Sequence, residues 1–130
     1  MADFSASVDL GDVIPEALSN ENLAKEMVKA GQEILERAIK NNAQKYKRTG
    51  AMANSVKSKT PSINKNGDIV GNVSFTGKDK NGMSNSQKAL WIDYGTKHIN
   101  GTAFVRSAVK SSESAVSRAM EQVFNSKAGG

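Results

Sequence analysis

The apolar residues of the first third of the chain recur at the spacing of an α-helix, and no other feature constrains the fold as strongly. Successive members of this stripe are 4, 3, 4 and 4 positions apart: Leu23, Met27, Ala30, Ile34 and Ala38. Such spacing places them on one side of a helix, with Leu35 and Ile39 beside them. With Ser19 or Asn20 as the N-cap, the pattern predicts a helix of about six turns that ends near Tyr46.

The middle of the chain has the pattern of extended structure. Asn66-Gly67 favours a hairpin turn, and the Val- and Ile-rich stretch 68–75 predicts a strand after it. Because side chains alternate across a strand, one face of this strand should point to the core: Ile69, Gly71, Val73 and Phe75. The polar stretch 76–87 predicts a loop, and the apolar stretch 88–94 is too short for its periodicity to distinguish helix from strand.

A second helical pattern begins near Thr102 or Ala103 and runs to Phe124. Its apolar side consists of Val105, Ala108, Val109, Ser112, Val116, Ala119, Met120, Val123 and Phe124. Two long helices that flank a region of strands predict an α+β fold, with both helices packed on one face of a small antiparallel sheet. We expect a flexible arm over residues 1–18, a single domain over residues 19–125 and a disordered tail over residues 126–130.

Composition excludes several classes of chemistry. The 130 residues include no cysteine and only one histidine, His98, so the chain has no thiolate and no histidine cluster for catalysis or metal binding. No apolar run exceeds four residues, which is too short to cross a membrane. We therefore predict no catalytic, cofactor or metal site, and we expect that the protein is not an enzyme and works without a membrane, in the cytoplasm or in an assembly made there.

Three short blocks occur in a recognisable order: residues 47–55 (KRTGAMANS), 90–96 (LWIDYGT) and 102–108 (TAFVRSA). This order and spacing resemble the small head–tail joining, or tail-completion, proteins of long-tailed bacteriophages and prophages. The positions that match the family pattern are Thr49, Gly50, Ser55, Gly95, Thr96, Phe104, Arg106 and Ala108. The chain departs from that pattern at Met52, where the family has Leu, at Asp93, where it has Glu, and at Ala103, where it has Pro.

The resemblance implies a structural protein of the virion neck, without a cofactor, that is made in the host cytoplasm. Copies of the chain would form a ring that completes the tail and helps to join it to the DNA-filled head. The neighbours of this ring would be the connector and the tail-tube or tail-terminator proteins, and DNA would pass through its lumen without sequence-specific contacts. We take Trp91 and Tyr94 as candidate assembly contacts. Phe104 is expected to anchor the last helix to the core, and Arg106 is placed to reach a carboxylate.

Two alternatives remain open from the sequence. One is a tail terminator, another small α+β ring protein, which caps the tail tube. The other is a small basic nucleic-acid-binding module, because the formal charge is +5 and residues 47–130 carry thirteen bases against five acids. Those bases are dispersed rather than clustered, which is also typical of an ordinary solvated surface. A steep loss of DNA affinity with salt would distinguish the nucleic-acid-binding module.

Overall fold

A computed structural model describes residues 5–9, 21–45, 53–63, 69–78, 81–97 and 100–128. Its helices and strands form an α+β fold. They are β1 (Ser5–Asp9), α1 (Glu21–Ala43), β2 (Val56–Ser58), β3 (Ser62–Ile63), β4 (Ile69–Phe75), α2 (Asn85–Tyr94) and α3 (Phe104–Ala128). A helical turn at residues 53–54 precedes β2. The predicted fold class is therefore confirmed.

Strand β4 is the centre of a four-stranded antiparallel sheet. Strand β1 pairs along one side of β4, with Ser7 opposite Asn72. Strands β2 and β3 pair in succession along the other side, and residues 59–61 separate them. The predicted strand and its core face are confirmed, since all four of the expected residues are buried: Ile69, Gly71, Val73 and Phe75.

Helix α1 lies between the sheet and helix α3. It contacts β1, β2 and β4, and it contacts α3 more extensively than any strand. The three layers meet at Gly31, where a Cβ atom would lie 2.9 Å from a Val8 methyl group and 3.0 Å from a Val116 methyl group. The absence of a side chain at this position lets β1, α1 and α3 approach one another closely.

The buried side of α1 differs from the predicted stripe. Four stripe residues are only half-buried: Leu23, Ala30, Ile34 and Ala38. The buried residues are Ala24, Met27, Val28, Gly31, Gln32, Leu35, Ile39 and Ala43. Because α1 is covered by the sheet and by α3 from different directions, its buried sector is wider than a single stripe and is centred elsewhere. The helix also ends at Ala43, before the predicted end near Tyr46.

The expected segment boundaries need correction at three places. The prediction of a free arm over 1–18 is wrong for Ser5–Asp9, which pair with β4 as strand β1, and Val8 is buried. The prediction of a disordered tail is wrong for residues 126–128, because α3 continues to Ala128. The predicted loop 76–87 ends early, since Ser84 caps α2, which begins at Asn85. The other residues of 1–18 and of the tail lie outside the described residues.

Candidate functional site

The second and third family-like blocks lie side by side at the junction of α2 and α3. Helix α2 ends at Tyr94, and the Gly95 N–H donates to the Trp91 carbonyl at 2.7 Å. The chain then returns along the end of this helix. The Thr102 N–H and hydroxyl donate to the Ile92 carbonyl at 2.9 and 2.8 Å, and the Ala103 N–H donates to the Asp93 carbonyl at 2.8 Å. These hydrogen bonds fix the starting point of α3.

Asp93 connects the two helices through its side chain, which is completely buried. Its Oδ1 accepts the N–H groups of Val105 at 2.7 Å and of Arg106 at 3.3 Å. These are among the first N–H groups of α3, which have no partner inside their own helix. A carboxylate at a helix N-terminus is also favoured by the helix dipole. A residue near the end of α2 therefore acts as the cap of α3.

Arg106 completes this junction from the solvent side. Its Nε donates to Asp93 Oδ2 at 2.8 Å and its Nη2 donates to the Asp93 carbonyl at 2.9 Å. The guanidinium carbon also lies 4.2 Å from the centre of the Tyr94 ring. The expectation that Arg106 reaches a carboxylate is confirmed, and its partner is the residue that stands where the related pattern has Glu.

Two aromatic side chains of α2 remain at the surface beside this junction. Trp91 is 40% exposed and Tyr94 is 57% exposed, and they are three positions apart on one helix. Neither contributes to the buried core. The structure thus brings the two candidate assembly contacts together, and their role in assembly stays a prediction.

The structure also describes several of the other positions that match the family pattern. Phe104 is buried, and its ring centre lies 6.1 Å from that of Phe75 in an edge-to-face arrangement, so the predicted anchor of α3 is confirmed. Ala108 is buried one turn later. The Ser55 carbonyl accepts the Thr76 N–H and hydroxyl, both at 2.9 Å. Thr96 is exposed, whereas Thr49 and Gly50 lie outside the described residues, as does His98.

Ala103 differs from the family pattern in its backbone conformation as well as in its residue type. Its φ angle is +54°, in the left-handed region. Proline holds φ near −65°, so the proline of the family pattern does not fit this backbone. The start of α3 in this chain therefore differs locally from the start that the resemblance implies.

The polar groups of the junction hold helices α2 and α3 together. The buried Asp93 carboxylate is already occupied by three donors from α3. In the part of the chain that the structure describes, no group of three or more His, Asp or Glu residues is placed to hold a metal ion. Among the same residues, no helix is long and apolar enough to span a membrane.

Comparison with known proteins identifies no relative of this chain. No family model matches the chain, and no match was found among curated proteins or among solved structures.

Arg106, Trp91 and Tyr94 all belong to the family-like blocks of the sequence, whereas the sequence alone does not predict that Asp93 caps α3. The sequence signal for this role is the position of Asp93 immediately before Tyr94-Gly95-Thr96.

Proposed function

We propose that the chain is a structural virion protein of the phage neck, forming a ring that completes the tail and helps to join it to the DNA-filled head. The observation that carries the proposal is the meeting of two family-like blocks at one junction. The Asp93 carboxylate of the second block accepts the Val105 and Arg106 N–H groups of the third. This contact joins Arg106, a position shared with the neck proteins, to Asp93, the acidic residue that stands where their pattern has Glu, and the arrangement of α2 and α3 depends on it.

The use of polar groups at this junction supports a structural role. Asp93 is completely buried and its carboxylate accepts three hydrogen bonds from α3, so a substrate has no access to it. Phe104 and Ala108 are also buried. These residues maintain the relative position of α2 and α3. This position creates an exposed surface, and we assign the function to that surface.

That surface supports contacts with other proteins. Trp91, Tyr94 and the half-exposed Arg106 lie together beside the junction. Trp, Tyr and Arg are the residue types that most often dominate binding energy at protein interfaces. We assign the contacts of Trp91 and Tyr94 to a neighbouring copy in the ring or to the adjoining connector and tail proteins.

The distribution of positive charge supports only a passing interaction with DNA. Lys57 and Lys59 are exposed at β2, whereas Lys78 is exposed after β4 and Lys97 after α2. They occupy separate segments and do not line one helix or strand. A lumen with such dispersed charge would attract the DNA backbone without reading its sequence.

The proposal is tested by removing the gene from the phage or prophage that carries it and examining the particles by electron microscopy. We expect full heads and separate tails that fail to join. Wild-type protein and Gln122→Ala, an exposed substitution elsewhere on α3, should restore joined particles, and Trp91→Ala should restore fewer of them. Normal virions in the absence of the protein would refute the proposal. Tails of abnormal length would instead identify a tail terminator.

A DNA-binding measurement on the purified chain tests the remaining alternative. We expect only weak, sequence-independent binding near physiological salt. Nanomolar, sequence-specific binding by the isolated chain would overturn the neck proposal in favour of a nucleic-acid-binding module.

A further inference from the structure

The two edges of the sheet differ in their accessibility to another strand. Three features prevent another strand from pairing with the edge formed by β2 and β3. The Ser58 N–H donates to Glu36 Oε1 at 2.9 Å, Pro61 has no N–H, and Lys57 and Lys59 are exposed on either side of Ser58. Lysine, proline and occupied backbone donors are the means by which natural sheets prevent pairing at an edge.

Within the part of the chain that the structure describes, the opposite edge, β1, has none of these features. Its sequence, Ser-Ala-Ser-Val-Asp, contains no lysine and no proline. Among the described residues, β1 pairs only with β4, and no side chain bonds to its outer backbone groups. A strand with one partner leaves a row of N–H and C=O groups available for a second.

A groove of about 530 Å³ runs between this open edge and the first half of α3. Residues 5–7 form one wall, and Val105 and Val109 form the apolar part of the other. Lys110 and Glu113 lie at the rim, and within the described part of the chain neither makes a hydrogen bond or an ion pair. Among the described residues, the groove therefore combines a strand edge without a second partner, an apolar wall and two charges of opposite sign that make no ion pair.

We propose that β1 pairs antiparallel with β1 of a second copy of this chain, about a two-fold axis at Ser7. In this register Ser7 lies opposite its counterpart, and Ala6 lies opposite Val8 of the second copy. Directly opposed residues of antiparallel strands share a face, so the half-buried Ala6 and the buried Val8 stay on the core side of a sheet that continues through both copies.

The same two-fold axis brings Lys110 and Glu113 of the two copies together. It relates the two α3 helices, so that Lys110 of one copy faces Glu113 of the other, and the converse pair forms as well. A two-fold contact requires a surface that is complementary to itself, and neighbouring charges of opposite sign on one helix provide it. Tyr94 and Arg106 also line this groove, so the two-fold contact shares residues with the surface proposed for the neck. It differs from the neck ring in symmetry, because a two-fold contact closes after two copies and a ring requires a head-to-tail contact.

Sedimentation equilibrium of the full chain tests the pairing. We expect a monomer–dimer equilibrium in the micromolar range. Ser7→Lys places two lysines opposite each other on the axis and should weaken dimerisation about fivefold. The matched control is Asn72→Lys, which puts the same charge on the exposed register partner of Ser7, one strand away from the edge, and should leave the equilibrium unchanged.

Charge reversal tests the contact between the α3 helices. Lys110→Glu alone should weaken dimerisation about fivefold, because it replaces two attractive pairs by repulsive ones. Lys110→Glu combined with Glu113→Lys should restore the wild-type equilibrium, since the pairs are re-formed with their signs exchanged. All of these measurements use purified protein, so their outcome is independent of the virion experiments.

Three results would overturn the inference. The first is a wild-type chain that stays monomeric at every concentration. The second is a dimer that Ser7→Lys leaves intact, which would assign association to another surface. The third is a monomer whose β1 amides exchange slowly on both sides of the strand, which would show that another segment of the same chain covers this edge.

Discussion

Replacing Asp93 by alanine should destabilise the protein more than any other single change of a polar residue at the α2–α3 junction. The substitution removes the acceptor of the Val105 and Arg106 N–H groups at the start of α3. Loss of a helix N-cap costs about 0.5–2 kcal/mol. A buried N–H that loses its acceptor costs about 1–3 kcal/mol.

The ion pair contributes less than the cap. Half of the Arg106 side chain is exposed, so water can solvate its guanidinium once the carboxylate is gone. Solvent-exposed pairs contribute about 0–1 kcal/mol, and this pair should lie at the upper end of that range because its Asp93 partner is completely buried. We therefore expect Asp93→Ala to lower the free energy of unfolding by about 3 kcal/mol, and Arg106→Ala to lower it by about 1 kcal/mol.

Urea denaturation followed by circular dichroism measures both variants. With a slope of about 2 kcal/mol per molar urea, Asp93→Ala should lower the midpoint by about 1.5 M and leave the slope unchanged. Asp93→Asn is the matched control, because it keeps the shape and one oxygen acceptor, and it should cost about 1 kcal/mol. In the Asp93→Ala background, Arg106→Ala should cost less than in the wild type, because only its contacts with the main-chain carbonyl of residue 93 and with the Tyr94 ring remain.

Two outcomes would refute this reasoning. If Arg106→Ala is as destabilising as Asp93→Ala, the ion pair and not the helix cap maintains the junction. If Asp93→Ala costs less than about 0.5 kcal/mol, water replaces the carboxylate at the N-terminus of α3 without penalty.

Three further substitutions test the packing around this junction and the sheet. Phe104→Ala should lower the free energy of unfolding by about 3–5 kcal/mol, and an unchanged thermal midpoint would mean that the ring is solvated rather than packed. Ala103→Gly should raise the stability by about 0.5–1 kcal/mol because it relieves a positive φ angle, whereas Ala103→Pro should lower the thermal midpoint. Gly71→Ala should cost about 2 kcal/mol, since the new Cβ would overlap the buried Gln32 carboxamide, and adding Gln32→Ala should recover part of the loss in urea denaturation.

The elements that the sequence predicts well are those whose pattern is local. Helices α1 and α3 each show apolar residues at helical spacing over more than twenty positions, and β4 shows alternation over seven. Such segments bury one side whatever their partner is, so the α+β fold class follows from the sequence. The exposed aromatic pair was identified from its block, although the helix that brings Trp91 and Tyr94 together was not.

Other features depend on partners that are remote along the chain. Strand β1 is five small or polar residues, and only pairing with β4, more than sixty positions away, makes it a strand. The buried sector of α1 depends on two neighbours that cover it from different directions. Asp93 is one carboxylate among thirteen acidic residues in the sequence. It becomes the cap of α3 because the chain between the two helices returns and places the first N–H groups of α3 against it. Periodicity in the sequence shows which side of a helix or strand is apolar. Only the tertiary structure determines which other helices or strands that side packs against.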